Sequence, residues 1–89
     1  MPEAFVCLNA SPSSVEEVFE ELKVCRGVRE AFRVHGVYDI IARVSGETFE
    51  DLSNIINERI KRLSQVQTTL SMLLIESGKP VRDGEMLLV

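Results

Sequence analysis

Val28-Arg29-Glu30-Ala31-Phe32-Arg33-Val34, then His35-Gly36-Val37, then Tyr38-Asp39-Ile40-Ile41-Ala42-Arg43-Val44, is the stretch that decides the fold. Val28, Glu30, Phe32 and Val34 alternate with Arg29, Ala31 and Arg33, the two-residue period of a strand with one drier face. Tyr38 to Val44 reads as a second strand, and the short connection between them predicts an antiparallel hairpin. Upstream, Val15, Val18, Phe19, Leu22 and Cys25 recur at helical spacing, with Glu16, Glu17, Glu20, Glu21 and Lys23 turned away. Ser14 and Glu17 have the spacing of a capping box, and Gly27 is expected to end this helix. Ala4 to Asn9 is a compact apolar strand, broken by Ser11-Pro12-Ser13-Ser14. Downstream, Ser45-Gly46 is a turn and Thr48 with Asp51 suggests a second cap. Phe49, Leu52, Ile55, Ile56, Ile60 and Leu63 form the stripe of a second helix, and Val66 to Glu76 reads as the last strand. Strand, helix, strand, strand, helix, strand predicts an α+β domain of ferredoxin-like topology. It comprises a four-stranded antiparallel sheet with two helices on one face. The domain is expected over residues 1–76. Residues 77–89 form a tail that begins as loop and ends in Glu85-Met86-Leu87-Leu88-Val89, a candidate edge strand.

Eighty-nine residues hold one domain, and 45% hydrophobic residues with only 6% aromatic imply an aliphatic core. Ten basic residues scattered among fourteen acidic ones give a net charge of −4, which argues against a surface built to neutralise phosphates. The one dense basic spot, Arg59, Lys61 and Arg62, falls at a helix end, where the helix dipole favours cations. Cys7 and Cys25 have neither the number nor the spacing of a metal site, and are expected as small buried thiols with a disulfide left open. With no basic-then-apolar leader and no spanning apolar run, the sequence reads as cytoplasmic.

Two helices cover one face of such a sheet, so the strands should alternate apolar and polar residues. They do not. Phe5 and Cys7 oppose Ala4, Val6 and Leu8; Ile41 opposes Ile40, Ala42 and Val44; and the last strand carries Leu70, Met72 and Leu74 against Leu73 and Ile75. About five apolar side chains would face water, more than a soluble monomer normally exposes in one patch. Covering them with a second copy would exclude roughly 600–800 Å² per subunit, so a homodimer is predicted, with packing beneath the C-terminal tail as the alternative.

Chemistry-bearing motifs are sparse. No nucleophile motif, phosphate loop or Cys-x-x-Cys pair occurs, so neither an enzyme nor a cofactor is expected. What stands out is His35-Gly36-Val37-Tyr38-Asp39. Glycine permits close approach of a ligand, turn N–H groups can hold a carboxylate, and Asp39 could accept from an ammonium group. Gln67, Thr69 and Ser71, at every second position, should place their polar groups on one face of the last strand.

Gly36-Val37-Tyr38-Asp39-Ile40-Ile41-Ala42-Arg43-Val44, Leu63-Ser64-Gln65-Val66, Thr69-Leu70-Ser71 and Leu73-Leu74-Ile75 together resemble the effector-binding RAM domain of the Lrp/AsnC transcriptional regulators. The resemblance spans about residues 4–76. It implies a ferredoxin-like module that dimerises through its sheets, with dimers joining into rings, and binds amino acids between subunits. By position, Gly36 and Asp39 would contact the effector's head group with His35, Val37 and Tyr38 beside them, and Thr69 and Ser71 would supply hydroxyls. Ser64-Gln65 departs from the family's usual Pro-Gly, and Ser71 from its usual threonine. No helix-turn-helix precedes Ala4, so the chain resembles a stand-alone sensing module, partnered with an amino acid, with itself and with full-length regulators rather than with nucleic acid or membrane. Two other readings stay open: a small dimeric α+β barrel enzyme using His35 as acid or base, and an ACT-like regulatory subunit.

Overall fold

A computed structural model describes residues 1–74. Strand β1 (Glu3–Ala10) is followed by helix α1 (Val15–Lys23), strands β2 (Val28–Arg33) and β3 (Ile40–Ser45), helix α2 (Phe49–Ile55) and strand β4 (Val66–Leu74). Helix α2 continues into a π-helical turn over Ile56–Ile60. The strands form one antiparallel sheet in the order β2-β3-β1-β4, which with both helices on one face is the ferredoxin-like α+β fold. Ile75, Glu76 and the tail expected as loop and edge strand lie outside the described residues.

The core forms where the two periodicities meet. Ala4, Val6, Leu8 and Ala10 of β1 and Ile40, Ala42 and Val44 of β3 bury against Val15, Val18 and Leu22 of α1 and Leu52, Ile55, Ile56 and Ile60 of the second helical segment. Phe19, Cys25, Val28, Ala31, Leu63 and Val66 pack around this cluster, half-buried. Each large buried side chain there is worth about 1.5–3 kcal/mol in transfer free energy.

Some local expectations hold and others need correction. Ser14 sits in helical backbone (φ −119°, ψ −4°), so its hydroxyl makes no cap bond; a capping side chain needs an extended backbone. Thr48, extended at φ −134°, does cap α2, its Oγ1 accepting from the Asp51 N–H at 3.0 Å. The Asp51 carboxylate returns the bond one residue early, to the Glu47 N–H at 2.9 Å. In β2, Val28 pairs with Val44 but Glu30 with Arg43, a bulge at Arg29 that resets the alternation. Val28 and Ala31 therefore share the helix side, while Glu30 and Phe32 turn to the opposite face. Strand β3 starts at Ile40, leaving Tyr38 and Asp39 in the connection. Phe49, assigned to the apolar stripe, is 61% exposed. Cys7 and Cys25 are both free thiols.

Two glycines are set by the packing. Gly27 adopts φ +91°, and a Cβ there would lie 2.7 Å from Ile55 Cδ1. A Cβ on Gly46 would lie 2.6 Å from the Leu52 backbone N, so only glycine lets α2 start this close to the sheet.

Candidate functional site

The hairpin connection is anchored at one residue. Asp39 donates its N–H to the Leu8 carbonyl at 2.9 Å and accepts from Val34 N–H at 3.0 Å through its own carbonyl. Its Oδ2 accepts from the Ala10 N–H at 3.1 Å, tying the loop to the end of β1. One carboxylate oxygen is thus spent on the fold and holds the other in a fixed position. Between these anchors His35, Gly36 and Val37 are exposed, Val37 at 84%, and Tyr38 is half-buried. Nothing lies within 4 Å of a Cβ built on Gly36, and its φ is outside the left-handed region. The fold of one chain therefore makes no demand for glycine at this position.

Thr69 and Ser71 share one face of β4, as their spacing predicts. They pair with Leu8 and Val6, so they share the helix side of the sheet and lie across it from the exposed apolar face. Strand β1 stands between them and the Asp39 loop; Ile40 and Thr69 both pair with Leu8, about 9–10 Å apart at two strand spacings. Gln67 does not share their alternation, because Asn9 pairs with Thr68 and Ala10 with Val66, a bulge that takes Gln67 out of register. Within one chain the loop residues come together and the two hydroxyls do not join them.

The face without helices is as apolar as the alternation suggested. Phe32, Ile41, Cys7 and Leu70 form one row across the four strands, and Phe5 and Met72 extend it in the next. Phe32, Leu70, Met72 and Leu74 are between 39% and 48% exposed. A polar rim bounds this patch. Arg43 donates to Glu30 at 2.7 Å and to Glu3 at 3.0 Å on one side, and Asn9 donates to Thr68 at 3.1 Å on the other. Both carboxylates raise the Arg43 pKa, Glu30 the more strongly. The Glu3–Arg43–Glu30 cluster escaped the sequence reading because its members come from three strands.

On the helix side, α2 leaves β4 uncovered. A cavity of about 320 Å³ opens between them, floored by Leu52 and Ile56, with Phe49, Leu73, Ser71 and Lys61 on its walls. At the sheet end by Gly46, Arg26 donates to Asp51 at 2.8 Å; this bond first, and the Glu47 N–H second, hold the Asp51 carboxyl below its ordinary range. Burial pushes the Cys25 thiol up, against the opposing pull of Arg59 and Arg26. Among the described residues no three His, Cys, Asp or Glu side chains converge on a metal position, and no helix is long and apolar enough to cross a membrane. The chemistry this surface offers is reversible binding through backbone groups, one oriented carboxylate and apolar contact.

Comparison with known proteins fits this description. The family model for the Lrp/AsnC ligand binding domain matches residues 3–83. An uncharacterized HTH-type transcriptional regulator of Pyrococcus horikoshii is 28% identical over 76 residues, covering 85% of this chain and 48% of the regulator. The chain spans about half the length of the curated relatives it matches. The crystal structure of FFRP-DM1 superimposes with a TM-score of 0.81 at 35% identity, over 84% of this chain and all of that one. A transcriptional regulator from Neisseria meningitidis in complex with L-methionine, 16% identical, shares the fold at a TM-score of 0.76 over 89% of this chain and 53% of its own.

Proposed function

The chain belongs to the Lrp/AsnC ligand-binding domain family, and on that premise we propose that it is an amino-acid sensor whose effector sits between two copies of the chain. The family and its amino-acid-bound structural neighbours support a regulatory effector-binding module. The observation that carries the finer reading is the apolar, polar-rimmed sheet face. A low-polarity centre inside a charged rim has the anatomy of a protein interface, and a second copy is the partner always present. The Gly36–Asp39 loop lies at the edge of that face, so a facing copy closes a crevice over it.

In this crevice the backbone at Gly36 and Val37 approaches the head group and the free Asp39 oxygen accepts from its ammonium. His35 and Tyr38 line the approach. Thr69 and Ser71 belong to the site only if a neighbouring copy supplies them, since β1 separates them from the loop in their own chain. An amino acid is the effector class because the Neisseria meningitidis regulator of this fold binds L-methionine. Binding across the junction links occupancy to assembly, through which the module would act on transcription or amino-acid metabolism, alone or mixed with longer family members. The His35 enzyme reading gains no support, as the imidazole is exposed and has no carboxylate hydrogen bond among the described residues.

Thermal shift and calorimetry against the twenty amino acids test this. A ligand at a hundredfold excess over Kd stabilises by about 2.7 kcal/mol, which raises Tm by about 10–20 °C in a domain this size. Gly36→Ala should keep the wild-type Tm without ligand, since its Cβ meets nothing, and lose the response. No response by the wild type at millimolar concentration would sink the sensor reading.

A further inference from the structure

At the sheet end away from the Gly36–Asp39 loop, two arginines line one small cavity of about 160 Å³. Strand β3 runs from Ile40, beside that loop, to Ser45, on the cavity wall, so the two places lie about 16 Å apart at roughly 3.3 Å per residue. The bulge in β2 falls at Arg29, and a bulge is a device that re-aims a side chain. Here Arg29 Nε donates to Ser45 Oγ at 2.7 Å. Ser45 is 6% exposed, so a buried hydroxyl pins the guanidinium at its inner nitrogen. Its two Nη groups make no hydrogen bond or ion pair among the described residues. Arg26 is held from another element: its Nη2 donates to Asp51 Oδ1 of α2 at 2.8 Å. The second Asp51 oxygen accepts from the Glu47 N–H at 2.9 Å, so this carboxylate has both oxygens in use. The glycines in the wall are committed too, the Gly27 carbonyl to the Ser45 N–H at 2.9 Å and the Gly46 N–H to the Pro2 carbonyl at 3.1 Å. What the cavity keeps in reserve is guanidinium donors.

We propose that this cavity binds a small oxyanion, a carboxylate or a phosphate group, between the Arg26 and Arg29 guanidiniums. The inference does not rest on the effector reading, because the two sites share no residue. A guanidinium offers donors in a planar fork that matches two oxygens of one carboxylate or phosphate. The volume is that of about five waters, which suits an oxyanion head group and is too small for a nucleotide. Both side chains are already tethered by the fold, so the ordering cost that opposes binding by long side chains is reduced. Two cations held at one cavity repel, and an anion between them relieves that repulsion. Glu47 is the opposing charge: it is exposed, lines the same wall, and its carboxylate makes no bond among the described residues. With a net charge of −4 the chain attracts anions poorly as a whole, so binding here is expected to saturate.

The test is an amide NMR titration with inorganic phosphate and with malonate, each against chloride at constant ionic strength to screen diffuse attraction. Shifts of Gly27, Arg29 and Gly46 amides should saturate at about 1–10 mM, while Gly36 and Val37 stay unmoved. Saturation by phosphate, by malonate or by both supports the site and names its source. Arg26→Gln and Arg29→Gln should each weaken binding about tenfold or more. Arg62→Gln, at an exposed cation paired with Glu58, should leave it unchanged. Glu47→Gln should tighten binding about two- to fivefold, a gain that misfolding does not mimic. No saturation by either probe up to about fivefold beyond that range would overturn the proposal. So would equal weakening by Arg29→Gln and Arg62→Gln. If both arginine variants unfold, Glu47→Gln decides, and unchanged or weaker binding by it overturns the site.

Discussion

Placing a carboxylate at Leu70 should take the assembly apart and leave the subunit folded. Leu70 sits beside Cys7 in the apolar row and is 44% exposed in the single chain. Burying that remaining surface against a partner is worth about 1 kcal/mol, roughly half the transfer free energy of a leucine side chain. An aspartate there loses this term and adds the desolvation of a charge with no partner, about 2 kcal/mol or more after relaxation. An interface with two-fold symmetry meets each substitution twice, so the loss is about 6 kcal/mol. At 1.4 kcal/mol per decade that weakens the dimer by about four orders of magnitude. The subunit itself loses little, because an exposed edge-strand position feels at most about 1 kcal/mol of strand preference, or about 4–8 °C in Tm. Sedimentation velocity at 10–50 μM, roughly the range where a micromolar dimer would dissociate on such a loss, should show Leu70→Asp as a folded monomer. Val24→Asp, at an 85% exposed site beyond α1, should keep the wild-type mass. If Leu70→Asp assembles like the wild type, the sheet face is not the interface.

Gly46→Ala should destabilise the subunit by about 2–3 kcal/mol, because its Cβ meets the Leu52 backbone and α2 must move; thermal unfolding measures the loss. Gln65 holds φ +75° just before β4, where glycine is free of the side-chain penalty, so Gln65→Gly should raise stability by about 0.5–1 kcal/mol in urea denaturation. The Arg26–Asp51 pair lowers the folded-state pKa of Asp51, so its contribution is complete above the ordinary aspartate value of 3.8 and fades as pH falls through the lower folded value. Asp51→Asn should therefore narrow its stability deficit relative to the wild type as acid titration proceeds below pH 3.8, and an unchanged gap would contradict the assignment.

The helical stripes and the order of elements were legible because burial imposes a period that survives in one sequence. Val15, Val18 and Leu22, or Leu52, Ile55, Ile56 and Ile60, face the sheet for that reason. The two-sided greasiness of the strands was equally visible, since Phe5, Ile41, Leu70 and Met72 break an alternation that water would enforce. What was not legible depends on single backbone choices. The bulges at Arg29 and Gln67 each shift a strand by one residue, and composition carries no mark of them. Ser14 has a capping residue's chemistry without its backbone. Asp39 looked like a ligand group, and half of its carboxylate proves committed to Ala10 N–H, a contact across 29 residues. Periodicity puts Thr69 and Ser71 on a shared face but does not say which face. Register with β1 sets that.

The proposed crevice exists only if one copy covers another's open sheet. Sedimentation equilibrium of the wild-type chain, with and without a mixture of the twenty amino acids, measures this most directly. Masses at or above twice 10.0 kDa at micromolar concentration, shifted further by the amino acids, are the expected result. A single species of 10.0 kDa under both conditions would contradict the interface and the crevice built on it.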